Sequence, residues 1–299
     1  MSAAPTPGWG SAWPAPAKLN LMLHVLGRRA DGYHELQTVF RLIDLCDALS
    51  FTPRQDGRVC RVNDIPGVPA TQDLCVRAAE LLRAHAGVRD GVDITLHKRI
   101  PMQGGLGGGS SDAATVLCAL DHLWQLGLGD ATLISLGVQL GADVPVFVAG
   151  RNAWAEGVGE RLVALELPPA SYLVVQPDCA VSTAEIFHAD DLTRSTPPLT
   201  INDFLAGKGH NDCAAPVVRR HPEVGEALAW LGRYGQPGLS GTGACVFLPC
   251  SLAEARALLA ALPARWRGWA VRGLSLSPLR ACLERAQRRP EMGKGTAGV

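Results

Sequence analysis

The sequence has no surplus of charge of either sign. Its 28 lysines and arginines balance 28 aspartates and glutamates, and the pI is near 7.1. Without a basic excess there is little to hold a nucleic-acid backbone, so that partner class is set aside. No CxxC pair occurs. The nine cysteines, Cys46, Cys60, Cys75, Cys118, Cys179, Cys213, Cys245, Cys250 and Cys282, are scattered and odd in number. Zinc ribbons, redox CxxC sites and a secreted disulfide framework all need tighter or paired spacing, so a reducing cytoplasm is expected. Long apolar runs are also missing: a stretch such as Val144 to Ala149 falls far short of the roughly 18 residues of a membrane span. Residues Met1 to Pro16 hold four prolines and two tryptophans but neither a basic start nor an apolar stretch, so no signal peptide is expected.

What is present is ordinary globular material. Hydrophobic residues make up 47% of the 299 and charged residues 19%, enough for a sizeable core and, by length, about two domains. The 33 glycines and 21 prolines stay below the roughly 25–30% that marks disorder. From Ala17 to Gly27, Leu19, Leu21, Leu23 and Val25 alternate with Lys18, Asn20, Met22 and His24, which reads as a strand. A polar turn centred on Asp31-Gly32 follows. Further strands are expected at 36–42, 47–52, 58–62 and 91–98, and a helix over 72–85 capped by Thr71. After a Gly-rich segment, Ala113, Val116, Leu117, Leu120, Leu123 and Trp124 fall at helical spacing, and a second helix covers 130–140. Gly141 to Pro145 is expected to turn into an apolar strand. The second half reads as a strand at 172–176, a Pro/Thr-rich loop at 194–200, helices at 223–234 and 252–262, a Gly-rich turn at 238–247 feeding a strand, and a last strand at 268–274. The pattern predicts an α+β chain in two halves, 1–160 and 161–299, and a mobile tail after Arg289.

One segment points to chemistry. Pro101-Met102-Gln103-Gly104-Gly105-Leu106-Gly107-Gly108-Gly109-Ser110-Ser111 joins an expected strand to a strong helix. Glycines let backbone approach a ligand closely, and the helix N-terminus offers free N–H groups and partial positive charge, which together suit phosphate. Ser110 and Ser111 add hydroxyls for phosphate oxygens or a bound Mg²⁺. The P-loop pattern fails because Ser110 stands where its lysine belongs, and the dinucleotide pattern fails because Ser110 stands where its last glycine belongs. A flexible connector ending in a serine helix cap remains the plainer reading of the segment taken alone.

The same residues resemble the phosphate-binding motif of the GHMP kinases. Lys18-Leu19-Asn20 resembles the family's N-terminal motif, and Gly238 to Phe247 its third, Gly-rich motif. Pro16 to Leu21, Arg29 to His34, Gly141 to Phe147 and Gly157 to Glu160 are similar to the branch of the family that phosphorylates 4-diphosphocytidyl-2-C-methyl-D-erythritol in the non-mevalonate route to isoprenoid precursors. The resemblance runs from about Pro14 to Leu283. Met1 to Trp13 and the tail from Arg289 lie outside it, and no function is assigned to them.

The resemblance implies a two-domain GHMP kinase fold, with a ribosomal-protein-S5-like N-terminal domain and a ferredoxin-like C-terminal domain. It implies a kinase that moves the γ-phosphoryl group of ATP to the acceptor's 2-hydroxyl, with ATP held along Pro101 to Ser111. Asp143 takes the place of the family's catalytic aspartate and Lys18 that of its partner. By residue type alone Asp143 would be a turn residue and Lys18 a solvated strand residue. Asn20 shares the strand face of Lys18 and is either a substrate contact or a structural amide. Tyr33 and His34 are implied to hold a cytosine, with Phe187 on its other side. Ser240, Gly241, Thr242 and Gly243 are expected to pack against the phosphate loop or the substrate's diphosphate, a purely structural hairpin turn being the alternative. Mg²⁺ follows from phosphoryl-transfer chemistry, since no all-protein metal site is visible. A small-molecule substrate, no nucleic acid or membrane, and a monomer or weak homodimer complete the expectation. The rivals are a GHMP kinase for homoserine, mevalonate or a sugar, and a nucleotide-binding module without catalysis.

Overall fold

The computed structural model describes residues 8–287. The expected tail after Arg289 and most of the N-terminal extension lie outside the described residues. The first half is built on a long antiparallel hairpin, β1 (Trp13–Arg28) and β2 (His34–Arg54). Its turn closes by backbone bonding of Arg29 to Tyr33 and by Asp31 Oδ1, which accepts from the Tyr33 N–H at 3.1 Å. β2 takes in both strands expected at 36–42 and 47–52. It carries β4 (Gly91–His97) on its C-terminal half and β5 (Ala153–Gly157) on its N-terminal half. With β3 (Val59–Arg61) and β6 (Arg161–Ala164) these make a six-stranded sheet ordered β3-β4-β2-β5-β6, β1 pairing with β2. β6 extends this sheet past the expected junction at residue 160.

Helices α1 (Leu74–Ala86), α2 (Gly108–Leu123) and α3 (Asp130–Leu140) cover the sheet. α2 runs through the core: Ser111 to Leu120 are all buried, because Val116, Leu117 and Leu120 meet the sheet while the small Ala113, Ala114 and Ala119 admit neighbours closely. α1 is capped by Asp73, whose carboxylate accepts from Cys75 N–H at 2.7 Å, and not by the expected Thr71. The expected strand after Gly141 is instead a short helix, α4 (Val144–Ala149), with Pro145 in its first turn and Gly150 ending it at φ 65°. Val144 to Val148 are buried on every side. An apolar run this short and this buried has no periodicity to tell helix from strand, and the proline favours a helix start.

The second half forms a four-stranded antiparallel sheet of β7 (Ser171–Gln176), β8 (Gly238–Leu239), β9 (Val246–Cys250) and β10 (Arg267–Arg272), ordered β10-β7-β9-β8. Between β7 and β8 lie α5 (Thr183–His188), α6 (Ile201–Leu205), α7 (Ala214–Arg220) and α8 (Pro222–Gly232); α9 (Leu252–Ala260) joins β9 to β10. Taking the helices between β7 and β8 as one connection, this is the βαββαβ order of a ferredoxin-like domain. α10 (Pro278–Gln287) returns to the first half, where Leu279 is buried in its core.

β1 is the seam. One edge pairs with β2. The other is covered at Lys18, whose N–H donates to the Leu106 carbonyl at 3.0 Å, and at Leu23, which exchanges backbone bonds with His210 and Asp212. An open strand edge is thereby used to hold the Gly-rich loop and the second half against the same strand.

Candidate active site

The Gly-rich loop is held by its packing as well as by its composition. Gly105 has φ 69°, and a Cβ there would lie 2.0 Å from the Ser240 carbonyl oxygen; at Gly107, φ 71°, it would lie 2.8 Å from the Phe147 ring. Both positions therefore demand glycine for conformation and for space. The turn at Ser240 to Cys245 clamps the loop from the other side. Ala244 N–H and Cys245 N–H donate to the carbonyls of Gln103 and Gly104 at 3.2 and 3.1 Å, and Ser240 Oγ donates to the Gly105 carbonyl at 2.9 Å. Two Gly-rich motifs far apart in sequence thus make one rigid unit.

That unit borders a cavity of about 440 Å³ at the N-terminus of α2. Pro101 to Ser110 line it, with Ile65, Val68, Leu74 and Leu96 on its apolar side. Ser111, grouped with the loop on sequence, does not line it. It lies one residue further round the helix, is fully buried, and gives its N–H to the Gly107 carbonyl at 2.9 Å.

Beneath the loop sits an ion cluster that no sequence pattern signalled. Lys98 Nζ lies 2.5 Å from Asp47 and 2.8 Å from Asp112. Asp47 also accepts from Arg99 N–H and Ile100 N–H at 2.5 and 2.8 Å. Burial pushes the Asp112 carboxyl up to about 8; Lys98 opposes this and Asp47 adds to it. Burial opposes the charge on Lys98, but Asp112 and Asp47 outweigh it and raise its pKa. Lys98 between two acidic side chains ties the end of β4 to the first turn of α2, the two ends of the Gly-rich loop.

A second cavity, about 250 Å³, opens on the other side of Asp143. The two cavities share Ser110, Asp143 and Thr183. Asp143 stands just ahead of α4 with its side chain 32% exposed, and its Oδ2 is 3.2 Å from Nζ of Lys18, which is 4% exposed. Lys18 Nζ also donates to Asn20 Oδ1 at 2.5 Å and lies 5.4 Å from the centre of the Phe40 ring. Asn20 is thereby brought to Lys18 as the alternation along β1 implied. Its amide donates to Thr38 Oγ1 at 2.8 Å, and Thr38 in turn donates to the Met22 carbonyl at 2.6 Å. Thr38 was not foreseen; only pairing of β1 with β2 brings it there. Gly241, φ 58°, lies against Asn20, where a Cβ would be 3.2 Å from Oδ1. Thr242 Oγ1 is 2.9 Å from Thr183 Oγ1.

Phe187 of α5 lines the second cavity and stacks on His34, which stands behind it outside the lining, ring centres 5.1 Å apart and planes at 25°. Tyr33, next in the turn, is 64% exposed. His34 and Phe187 are thus brought together, while Tyr33 leaves its ring open to solvent. Burial and then the charge of Arg194, with smaller contributions from Arg28 and His188, hold the His34 pKa below its ordinary value, which favours the neutral ring. Arg194 Nε is 3.1 Å from His34 Nε2.

Comparison with known proteins places this geometry among relatives. The family "GHMP kinases N terminal domain" matches residues 73–151, and "GHMP kinases C terminal" matches 200–268. A 4-diphosphocytidyl-2-C-methyl-D-erythritol kinase of Halorhodospira halophila is 56% identical over 282 residues, 93% of this chain and 98% of that protein. The protein of the same description from Methylococcus capsulatus is 56% identical over 268 residues, 89% of this chain and 92% of the other. Among solved structures, a crystal structure of 4-(cytidine 5'-diphospho)-2C-methyl-D-erythritol kinase superposes with a TM-score of 0.76 at 37% identity, over 88% of this chain and 99% of that one. The Methanococcus jannaschii mevalonate kinase, at 16% identity and a TM-score of 0.63 over 89% of this chain and 99% of that one, shares the fold.

Proposed function

We infer the reaction from one premise: the chain belongs to the GHMP kinases and, within them, to the family of 4-diphosphocytidyl-2-C-methyl-D-erythritol kinases. It is an ATP-dependent kinase that phosphorylates that acceptor, and the hydroxyl that receives the phosphoryl group is read as the 2-hydroxyl. The observation that carries the site assignment is the meeting of two cavities at Asp143, with a buried lysine at its carboxylate.

ATP is read into the larger cavity, its phosphates over the loop and the N–H groups that begin α2, where partial positive charge faces them. The acceptor is read into the smaller one. A hydroxyl there meets the γ-phosphoryl group between Ser110 and Asp143. Asp143 accepts the hydroxyl proton as the new O–P bond forms, the bond from the γ-phosphorus to the bridging oxygen breaks and ADP leaves. Lys18, held by Asn20, keeps the carboxylate oriented and offsets the negative charge growing on the attacking oxygen. Loop, lysine and aspartate are held by packed backbone, so the energy of orienting two reactants is met by the fold.

Mg²⁺ is part of the proposal. Ser110 Oγ and the Asp143 carboxylate offer oxygen at the cavity junction, and no group of three metal-ligating His, Cys, Asp or Glu exists among the described residues. This donor set suits a hard cation that keeps waters and phosphate oxygens as its other ligands, and such a cation would neutralise phosphate charge. The nine cysteines are free and no described helix is long and apolar enough to cross a membrane. Free thiols support a reducing compartment, and a cytoplasmic monomer or weak dimer is the state proposed.

The test is a panel of acceptors with γ-labelled ATP. Label should pass to the cytidine-linked methylerythritol and hardly at all to methylerythritol phosphate, homoserine, mevalonate or galactose. Efficient transfer to an acceptor without cytidine would assign the chain a different substrate within the superfamily.

A further inference from the structure

The connector that follows α5 contributes a residue whose bonds converge on the acceptor side of the site. Arg194 uses its whole guanidinium: Nε donates to His34 Nε2 at 3.1 Å, one terminal nitrogen donates to the carbonyls of Phe187 and Ala189 at 2.9 and 2.8 Å, and the other to that of Leu192 at 3.3 Å. One planar fork therefore ties the start of β2 to the end of α5, the two segments that supply His34 and Phe187. A guanidinium can only donate. His34 Nε2 must then present its lone pair, and a neutral imidazole in that state carries its proton on Nδ1.

We propose that Arg194 is a positioning residue for recognition of the acceptor's base, fixing His34 as an Nδ1–H donor and holding Phe187 against it. The proposal rests on the reading of the acceptor as cytidine-linked. Cytosine offers unprotonated N3 and O2 on its pairing edge, both acceptors, whereas uracil carries a proton at N3. A fixed donor suits the first and opposes the second, and a site built for one hydrogen-bond pattern rejects the analogue that leaves it unmet. Besides Arg194, the charged or titratable groups acting on His34 are Arg28 of β1 and His188 of α5. All three are cationic or can become so, and with burial they keep the ring neutral, as its role as acceptor from Arg194 requires.

The test is the full-length chain and its Arg194→Gln variant, followed by ¹⁵N NMR of labelled histidine, with His34 identified by the signals lost in His34→Asn. The wild-type ring should show a protonated Nδ1 and a bare Nε2, a reading that needs no substitution at Arg194. In Arg194→Gln the proton should spread to Nε2. The acceptor KM should rise about 10-fold, the loss of one well-placed hydrogen bond, with KM for ATP unchanged. Lowering the pH should reduce the variant's acceptor KM, because an imidazolium carries the Nδ1 proton without help; burial still opposes that charge, so the recovery comes below the ordinary histidine range and is absent in the wild type. Arg194→Lys keeps a donor-only cation for His34 Nε2 but cannot make the fork to Phe187, Ala189 and Leu192, so the tautomer should hold while the acceptor KM still rises. A wild-type ring protonated at Nε2, or a glutamine variant with unchanged tautomer and pH profile, overturns the role of Arg194 while strict preference for a cytidine-linked acceptor leaves the substrate reading standing. Equal turnover of acceptors with and without cytidine overturns the substrate reading, and base recognition with it, even where the tautomer responds.

Discussion

Asp143 and Lys18 face each other across the one place where the two cavities meet, Oδ2 to Nζ at 3.2 Å. Lys18 is carried by β1 and Asp143 by the turn before α4. Lys18 N–H is bonded to the Gly-rich loop at Leu106, and a Cβ on Gly107 would lie 3.0 Å from Lys18 Cε. The proposed base, its cationic partner and the Gly-rich loop are therefore joined through Lys18.

Asp143→Asn keeps shape and removes the proton acceptor. Its kcat should fall at least about 10²-fold, the usual contribution of a positioned base, while ATP affinity stays nearly constant. Steady-state kinetics and ATP calorimetry on the purified variant check this. Near-normal turnover would take the base role away from Asp143.

The glycines of the loop should separate into two groups. Gly105→Ala puts a Cβ 2.0 Å from a backbone oxygen at φ 69°, so the variant should lose more than about 2 kcal/mol of stability or fail to fold. Gly109 lies inside α2, and its Cβ would find Leu74 no nearer than 3.7 Å. Gly109→Ala should raise the melting temperature, alanine being the better helix former by about 0.5–1 kcal/mol, and should still weaken ATP binding because the methyl group enters the phosphate site. Thermal unfolding with and without ATP distinguishes them. Two variants with the same profile would mean that packing does not divide the loop in this way.

The Asp47–Lys98–Asp112 cluster makes stability depend on pH. A carboxyl raised to about 8 in the folded state holds a proton that the unfolded chain has already shed above the ordinary carboxylate range. That contribution is present at low pH and is lost as pH rises towards 8. The melting temperature of the wild type should therefore fall from pH 6 to pH 9. Asp112→Asn removes the raised carboxyl, so its curve should be flatter and approach the wild type from below. Parallel curves would mean that Asp112 is ionised throughout.

What was legible in the sequence was local. The strand, glycines and helix of the proposed phosphate site are contiguous, and the alternation along β1 puts Lys18 and Asn20 on one face. Their partners come from elsewhere in the chain. Thr38 reaches Asn20 only through the register of β1 on β2, whereas the packing of Ser240 against the loop, expected from the family resemblance, is made by its bond to Gly105. Lys98 and Asp112 flank the loop in plain view, but their meeting with Asp47 has no sequence period. α4 was misread because burial on all sides erased its pattern. The pairing of Lys18 with Asp143 came from family resemblance, and no local rule would have found it.

The final prediction concerns the exposed ring at the acceptor end. Tyr33 is 64% open to solvent although it follows a tight turn braced by Asp31, while its neighbour His34 is already stacked on Phe187. An aromatic left uncovered beside a formed stack has its face available to a base. Stacking of an aromatic side chain on a base contributes about 1–3 kcal/mol by alanine substitution, so Tyr33→Ala should raise the acceptor KM about 10- to 100-fold. The base lies far from the hydroxyl that reacts, so its binding energy also serves to orient that end, and kcat should fall as well. ATP affinity should not move, since the loop at 101–111 is separate from the turn at 31–34. Tyr33→Phe keeps the ring and should retain wild-type values, which distinguishes stacking from a role for the hydroxyl. Acceptor kinetics on the two variants give the answer: an unaltered KM in Tyr33→Ala would mean that the base is held without this ring.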